Sequence, residues 1–296
     1  MVLTLGADRA GDAKEALAGA EHRLVTGLAL LERHAVLGPS RLIDDETVAR
    51  VRALAGDLAR QLAGEDHGLA ERLRDMLLAH RPILLHLHAL AIETRLTIAL
   101  AVHRGLDPVL PPLVEHRLDP AAAGHDVAAL AAAMLAAQSR IGQCLRQMRL
   151  PIDELPADLQ HLARATRAAA RAEHGQLDDA TPLSGKAEPE TRLGLLRRLL
   201  ASLGDDITRA LQIDQAGLPL FLSALALASG HPRERVALAL AEDHAVRLAL
   251  LLRAAGLSGV EAAAQLLAIR PEADAALVML VEQAGAADAL LGEVSA

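Results

Sequence analysis

Aromatic carbon is almost missing from this chain: its 296 residues include no tryptophan, no tyrosine and one phenylalanine, Phe221. A core built on large rings, each burying about 150–250 Å², is therefore excluded, and so are the stacking platforms on which unpaired nucleobases are held. The single cysteine, Cys144, excludes an internal disulfide and a cysteine-based zinc site. Its leucine-rich surroundings read as those of a buried, inert thiol. Lysine occurs only at Lys14 and Lys186, so the positive charge is nearly all arginine. The formal net charge is −8, and neither half of the chain is basic, which argues against binding nucleic acid or an anionic membrane surface. The opening "MVLTLGADRAGDAKEAL" has no basic region followed by an apolar run, so no secretory signal and a reducing cytoplasm are expected.

Aliphatic residues supply what is left. Hydrophobic residues make up 52% of the chain and are dominated by leucine and alanine, which favour helix, while the residues that enrich strands are scarce. The fold class expected is all-α. Only "RPILLHLHALAIETRLTIALAV", residues 81–102, approaches the length of a membrane span. Glu93 and Arg95 fall in its middle, where each would cost about 2.5–3.5 kcal/mol at a bilayer centre. The segment reads instead as the central buried helix of a bundle, and no membrane span is expected.

Helix punctuation divides the chain. Residues 12–37 carry Leu17, Leu24, Leu28, Leu31 and Ala35 near heptad spacing and end at Gly38 and Pro39. Asp44 or Asp45 caps a second helix, a third covers 67–80, and Pro82 opens the buried one. After a proline-rich turn, residues 120–149 show a seam of Leu130, Met134, Ala137, Ile141, Leu145 and Met148 that wants a partner, within the chain or in a homodimer. An amphipathic helix then runs to about residue 174. Residues 177–188 lose the apolar period and read as a linker between a bundle-like part, 1–176, and a compact, repeat-like array of shorter helices, 189–296. In that array the expected helices are 192–211, 219–229, 232–243, 244–255 and 258–269. Pro219 and Pro232 sit at first helical positions, Gly230 and Gly256 at C-caps, and Ser258 with Glu261 forms a capping box.

Catalytic signals are weak. His86 and His88 lie two apart on a helix and point to different faces, so they cannot share a metal. Asp158 and His161 supply two ligands of a metal site without a third. No phosphate-cradling or nucleophile-elbow motif occurs, and the acidic pairs Asp205/Asp206, Asp178/Asp179 and Glu242/Asp243 read as solvated helix ends and linker. No catalytic, cofactor-binding or metal-ligating residue is assigned on this basis. One alternative is a histidine phosphotransfer bundle, with His22 in "AEHRLVTGLALLERH" as the acceptor, although the asparagine and the glycine-rich lid that accompany such helices are absent. Another is a small-molecule sensor or enzyme with an apolar interior pocket.

The C-terminal helices carry one resemblance. "LFLSALALASGHPRERVALALAEDHAVRLALLLRAAGL", with Leu220–Phe221, the turn Gly230 to Arg233 and the closing Leu251 to Leu257, is similar to the bacterial family termed domain of unknown function 2336. "MRLPIDELPADLQH", residues 148–161, resembles an upstream turn of the same family. The resemblance implies a helical, mainly alphaproteobacterial protein with no assigned chemistry. The reading that results is a non-enzymatic module for protein–protein interaction or regulation. Its partner is unidentified and would be met at Pro232, Arg233, Arg235 and Arg253, because arginine is favoured at interfaces. The competing reading pairs these arginines with Glu234 and Glu242 on the same surface.

Overall fold

The computed structural model describes residues 14–15, 17–19, 22, 44–173, 190–243, 245–275 and 278. Asp44 starts the continuous part: its carboxylate accepts the Thr47 N–H at 2.7 Å and caps α1 (Asp45–Ala63). Asp66 does the same for α2 (His67–Ala79), accepting from the Leu69 N–H at 2.9 Å. Pro82 lies in the first turn of α3 (Arg81–Arg104), where a missing N–H leaves nothing unsatisfied. Next come α4 (Pro112–Arg117), α5 (Pro120–Ala123), α6 (His125–Arg146), a 3-10 turn (Ile152–Glu154) and α7 (Ala157–Ala172). The remaining elements are α8 (Arg192–Ala201), a 3-10 segment (Gly204–Leu211), α9 (Ile213–Ser229), α10 (Arg233–Ala239), α11 (Val246–Ala254) and α12 (Gly259–Ile269). No strand occurs among the described residues, and the chain is all-α.

Several boundaries differ from those read in the sequence, each for a local reason. The expected helix 120–149 breaks at Gly124, whose φ of 85° interrupts the helical path, and stops at Arg146. The expected helix 192–211 divides into α8 and the 3-10 segment around Gly204 at φ 55°. Gly217, at φ 64° and ψ 164°, puts a kink inside α9, so its long arm does begin beside Pro219. There a side chain would be strained by its backbone and would press on Pro111 Cβ at 3.1 Å. The helix expected over 232–243 covers only 233–239, and a short helix of six residues, α4, sits inside the proline-rich turn. Cys144 is half-buried rather than fully enclosed. The capping box of Ser258 and Glu261 forms as expected.

Aliphatic packing takes the place of rings. Phe221 and leucines such as Leu54, Leu58, Leu73, Leu84 and Leu199 have no exposed surface. They fall into two cores. The larger surrounds α9 and takes Leu113 and Met134 from before residues 177–188 and Leu196, Phe221 and Leu248 from after them. The smaller joins α1, α2, the first half of α3 and α7. Three helices serve both: α3 gives Ala89 to one and Leu87 to the other, α6 gives Ala137 and Ile141, and α10 gives Val236 and Leu238. The two predicted parts therefore pack against each other, although the predicted linker itself lies outside the described residues. Met134, Ala137, Ile141 and Leu145 of the α6 seam are buried within the chain, and Leu130 and Met148 are half-buried.

α3 is long and apolar enough to cross a membrane by length and composition, and 67% of its most apolar stretch is buried against neighbouring helices. The turn after α6 is fastened to α1. Asp57 Oδ2 accepts the Leu150 N–H at 2.9 Å, and Gln61 Oε1 accepts the Ile152 N–H at 3.0 Å while its Nε2 donates to the Leu150 carbonyl at 2.8 Å. The motif "LPIDELP" is thus held by hydrogen bonds to backbone groups that would otherwise be unsatisfied.

Candidate functional site

The two cores meet at a buried carboxylate. Glu93, on α3, is 3% exposed, and two guanidiniums reach it from helix starts that lie far off in sequence. Arg192, the first residue of α8, bonds both carboxylate oxygens, at 2.6 and 3.3 Å. Arg233, the first residue of α10, donates to Oε2 at 2.9 Å. Arg192 also donates to Gln138 Oε1 at 3.2 Å, and its backbone N–H donates to Glu154 Oε2 at 2.8 Å. Arg233 reaches Ser223 Oγ at 3.1 Å and the Pro219 carbonyl at 3.3 Å. Burial alone would push the Glu93 carboxyl up, but the two guanidiniums outweigh it and hold the group far below the usual carboxylate range. His86 and Glu234 form a neighbouring pair at 2.9 Å.

Beside this cluster a groove opens between α3 and α6. One wall is Thr94, Thr97, Ile98, Ala101 and Val102, spaced i, i+3, i+4, i+7 and i+8 on one face of α3. The other is Gln138, Ile141, Gly142, Leu145 and Arg146, with the same spacing on α6. Pro108 and Val109 close one end, and Glu93 with Arg192 lines the floor. The groove is open to solvent along one side and holds about 180 Å³. Ile98 and Val102, in the C-terminal part of α3, are 49% and 73% exposed, large values for aliphatic side chains.

Gly142 helps to keep this space open. It sits inside α6 with ordinary helical dihedrals, and a Cβ there would meet only the end of the Arg146 side chain, at 3.6 Å. Gly142→Ala is accordingly expected to raise stability by up to about 1 kcal/mol through helix propensity. Urea denaturation of the two proteins checks it.

The structure separates the residues singled out in the sequence. Arg233 turns inward, and the carboxylate it bonds is Glu93 on α3, with Glu234 within reach of its charge. Pro232 is exposed as the N-cap of α10, and Arg235 is half-buried. Arg253 donates to the Leu257 carbonyl at 2.6 Å, closing the end of its own helix. Glu242, read as a solvated helix end, is 4% exposed and bonds Arg247 Nε at 2.8 Å. His22 is helical and exposed. His86 and His88 are both buried, and among the described residues no three histidine, cysteine or acidic side chains gather where they could hold a metal. Asp178 and Asp179 lie outside the described residues. The groove itself was not foreseen. Its signal was the run of Thr94, Thr97, Ile98 and Val102, hydroxyl and β-branched groups on one stripe of a helix whose first half is buried nearly all round.

No family model, no curated protein and no solved structure matches the chain.

Proposed function

We propose that this chain is a non-enzymatic helical module for protein–protein interaction or regulation, working in the cytoplasm. One observation carries the reading: α12 turns an apolar stripe outward. Val260 and Leu267, seven positions apart, are 73% and 40% exposed, and Ala264 between them is exposed as well. Such a stripe on a helix is the form in which an amphipathic partner is met. Arg270, directly after α12, supports the reading indirectly: it is buried and donates to the Leu240 and Glu242 carbonyls at 3.2 and 2.6 Å, which fixes the helix that carries the stripe. The likeness of residues 220–257 to domain of unknown function 2336 agrees with it, because that family implies a helical protein without assigned chemistry.

Recovery of the full-length chain with its bound proteins from native cells tests the reading. A stoichiometric partner should accompany the wild type and be lost from the double variant Val260→Asp, Leu267→Asp, while helical circular dichroism is retained. The same proteins on both baits, or none on the wild type, would contradict it.

A further inference from the structure

The groove between α3 and α6 has a chemistry of its own. Its walls are aliphatic: Ile98, Val102, Val109, Ile141 and Leu145 give methyl and methylene surface and no ring. Its polar groups are mainly donors. Gln138 Oε1 accepts from Arg192, which fixes the amide so that its NH₂ is directed elsewhere, and that NH₂ has no hydrogen-bond acceptor among the described residues. The Thr97 hydroxyl is likewise uncommitted among the described residues, whereas Thr94 is turned back to the Leu90 carbonyl at 2.8 Å. Arg146, lying along the wall at Gly142, pairs with no carboxylate among the described residues. The one carboxylate in the lining, Glu93, is already shared by two guanidiniums.

An apolar slot with surplus donors and a free guanidinium at its rim calls for a ligand with an aliphatic body and an anionic end. The volume sets the size of that body. At about 180 Å³ it is slightly larger than the roughly 150 Å³ cavity that admits benzene. We propose that this groove binds an aliphatic monocarboxylate of about six to eight carbons, with its chain along Ile98, Val102 and Leu145 and its carboxylate on Arg146, the Thr97 hydroxyl and the Gln138 amide. α12 contributes nothing to the lining, so this site and the interaction stripe stand or fall separately.

Calorimetric titration of the full-length chain with sodium octanoate, with octan-1-ol as the uncharged control, tests the proposal. Octanoate should bind saturably, at one molecule per chain and more tightly than octanol. Arg146→Gln, at an exposed position, should raise the dissociation constant for octanoate about tenfold or more through loss of a charge-assisted contact, and leave octanol unchanged. Gly142→Leu fills the groove and should abolish both; if that variant does not fold, Arg146→Gln decides alone. Octanoate that fails to saturate, that binds no better than octanol, or that binds Arg146→Gln as tightly as wild type would overturn the proposal.

Discussion

Glu93→Ala should destabilise the chain by about 3–5 kcal/mol, because it leaves the guanidinium of Arg192 buried without its counter-charge and removes a principal partner of Arg233. The loss does not mean that the ion group contributes so much net stability. It measures what an unpaired charge costs once its partner is gone. Glu93→Gln, which keeps the size and some hydrogen bonding, should lose less than the alanine variant and still be clearly less stable than wild type. Denaturant midpoints with unchanged slopes would show that stability and not compactness has changed.

The same carboxylate gives the chain a directional response to acid. Glu93 titrates in the folded chain far below its ordinary value of about 4.3. Its stabilising contribution is therefore complete above that value and disappears as pH falls toward the depressed one. Glu234 acts in the same direction: burial opposes its ionisation, yet the hydrogen bond and charge of His86 bring it down to about 2. Wild type should hold its stability from neutrality to about pH 5 and lose it steeply below about pH 4. In Glu93→Gln that decline should be shallower, which separates this carboxylate from the general acid response.

Phe221→Ala is the second large effect, about 3–5 kcal/mol. Phe221 has no exposed surface and fills the larger core at α9, where the other large side chains are leucines, isoleucines and methionine. Helices packed on both sides of that core limit how far it can collapse into the space left by a ring. Phe221→Leu should cost less than about 1.5 kcal/mol, since it keeps most of the volume and the surroundings are already aliphatic. If both variants lost the same amount, the ring itself and not its volume would be what the core requires. Thermal and denaturant unfolding of the pair measures the difference.

Periodicity and caps were enough to locate most helices, because helix starts depend on local chemistry that a sequence displays: Asp44, Asp66, Pro82 and the Ser258–Glu261 box each lie within a few residues of what they cap. Breaks governed by one dihedral were harder to read. Gly124 and Gly204 look like any glycine until their positive φ is known. The cluster at Glu93 was beyond local reading for a different reason, since its two cationic partners lie 99 and 140 positions away. A mid-helix glutamate in an apolar run was visible as an expense, and what offsets it was not. Arg233 shows the same limit in reverse: its place in a turn with Pro232 and Arg235 gives no sign that its guanidinium bonds a carboxylate on α3. The groove was obscured because α3 reads as apolar on every face, and only the packed arrangement shows which stripe is left uncovered.

The central claim is that Glu93, held by the starts of α8 and α10, makes the two aliphatic cores unfold as one body. Phe221 is the only aromatic side chain, so near-ultraviolet circular dichroism reports on the larger core alone, while far-ultraviolet circular dichroism reports on the helices of both. Followed through a urea titration of the wild type, the two signals should give one coincident transition. Two separated transitions, with the Phe221 signal lost at a different urea concentration from a substantial part of the helical signal, would contradict the account.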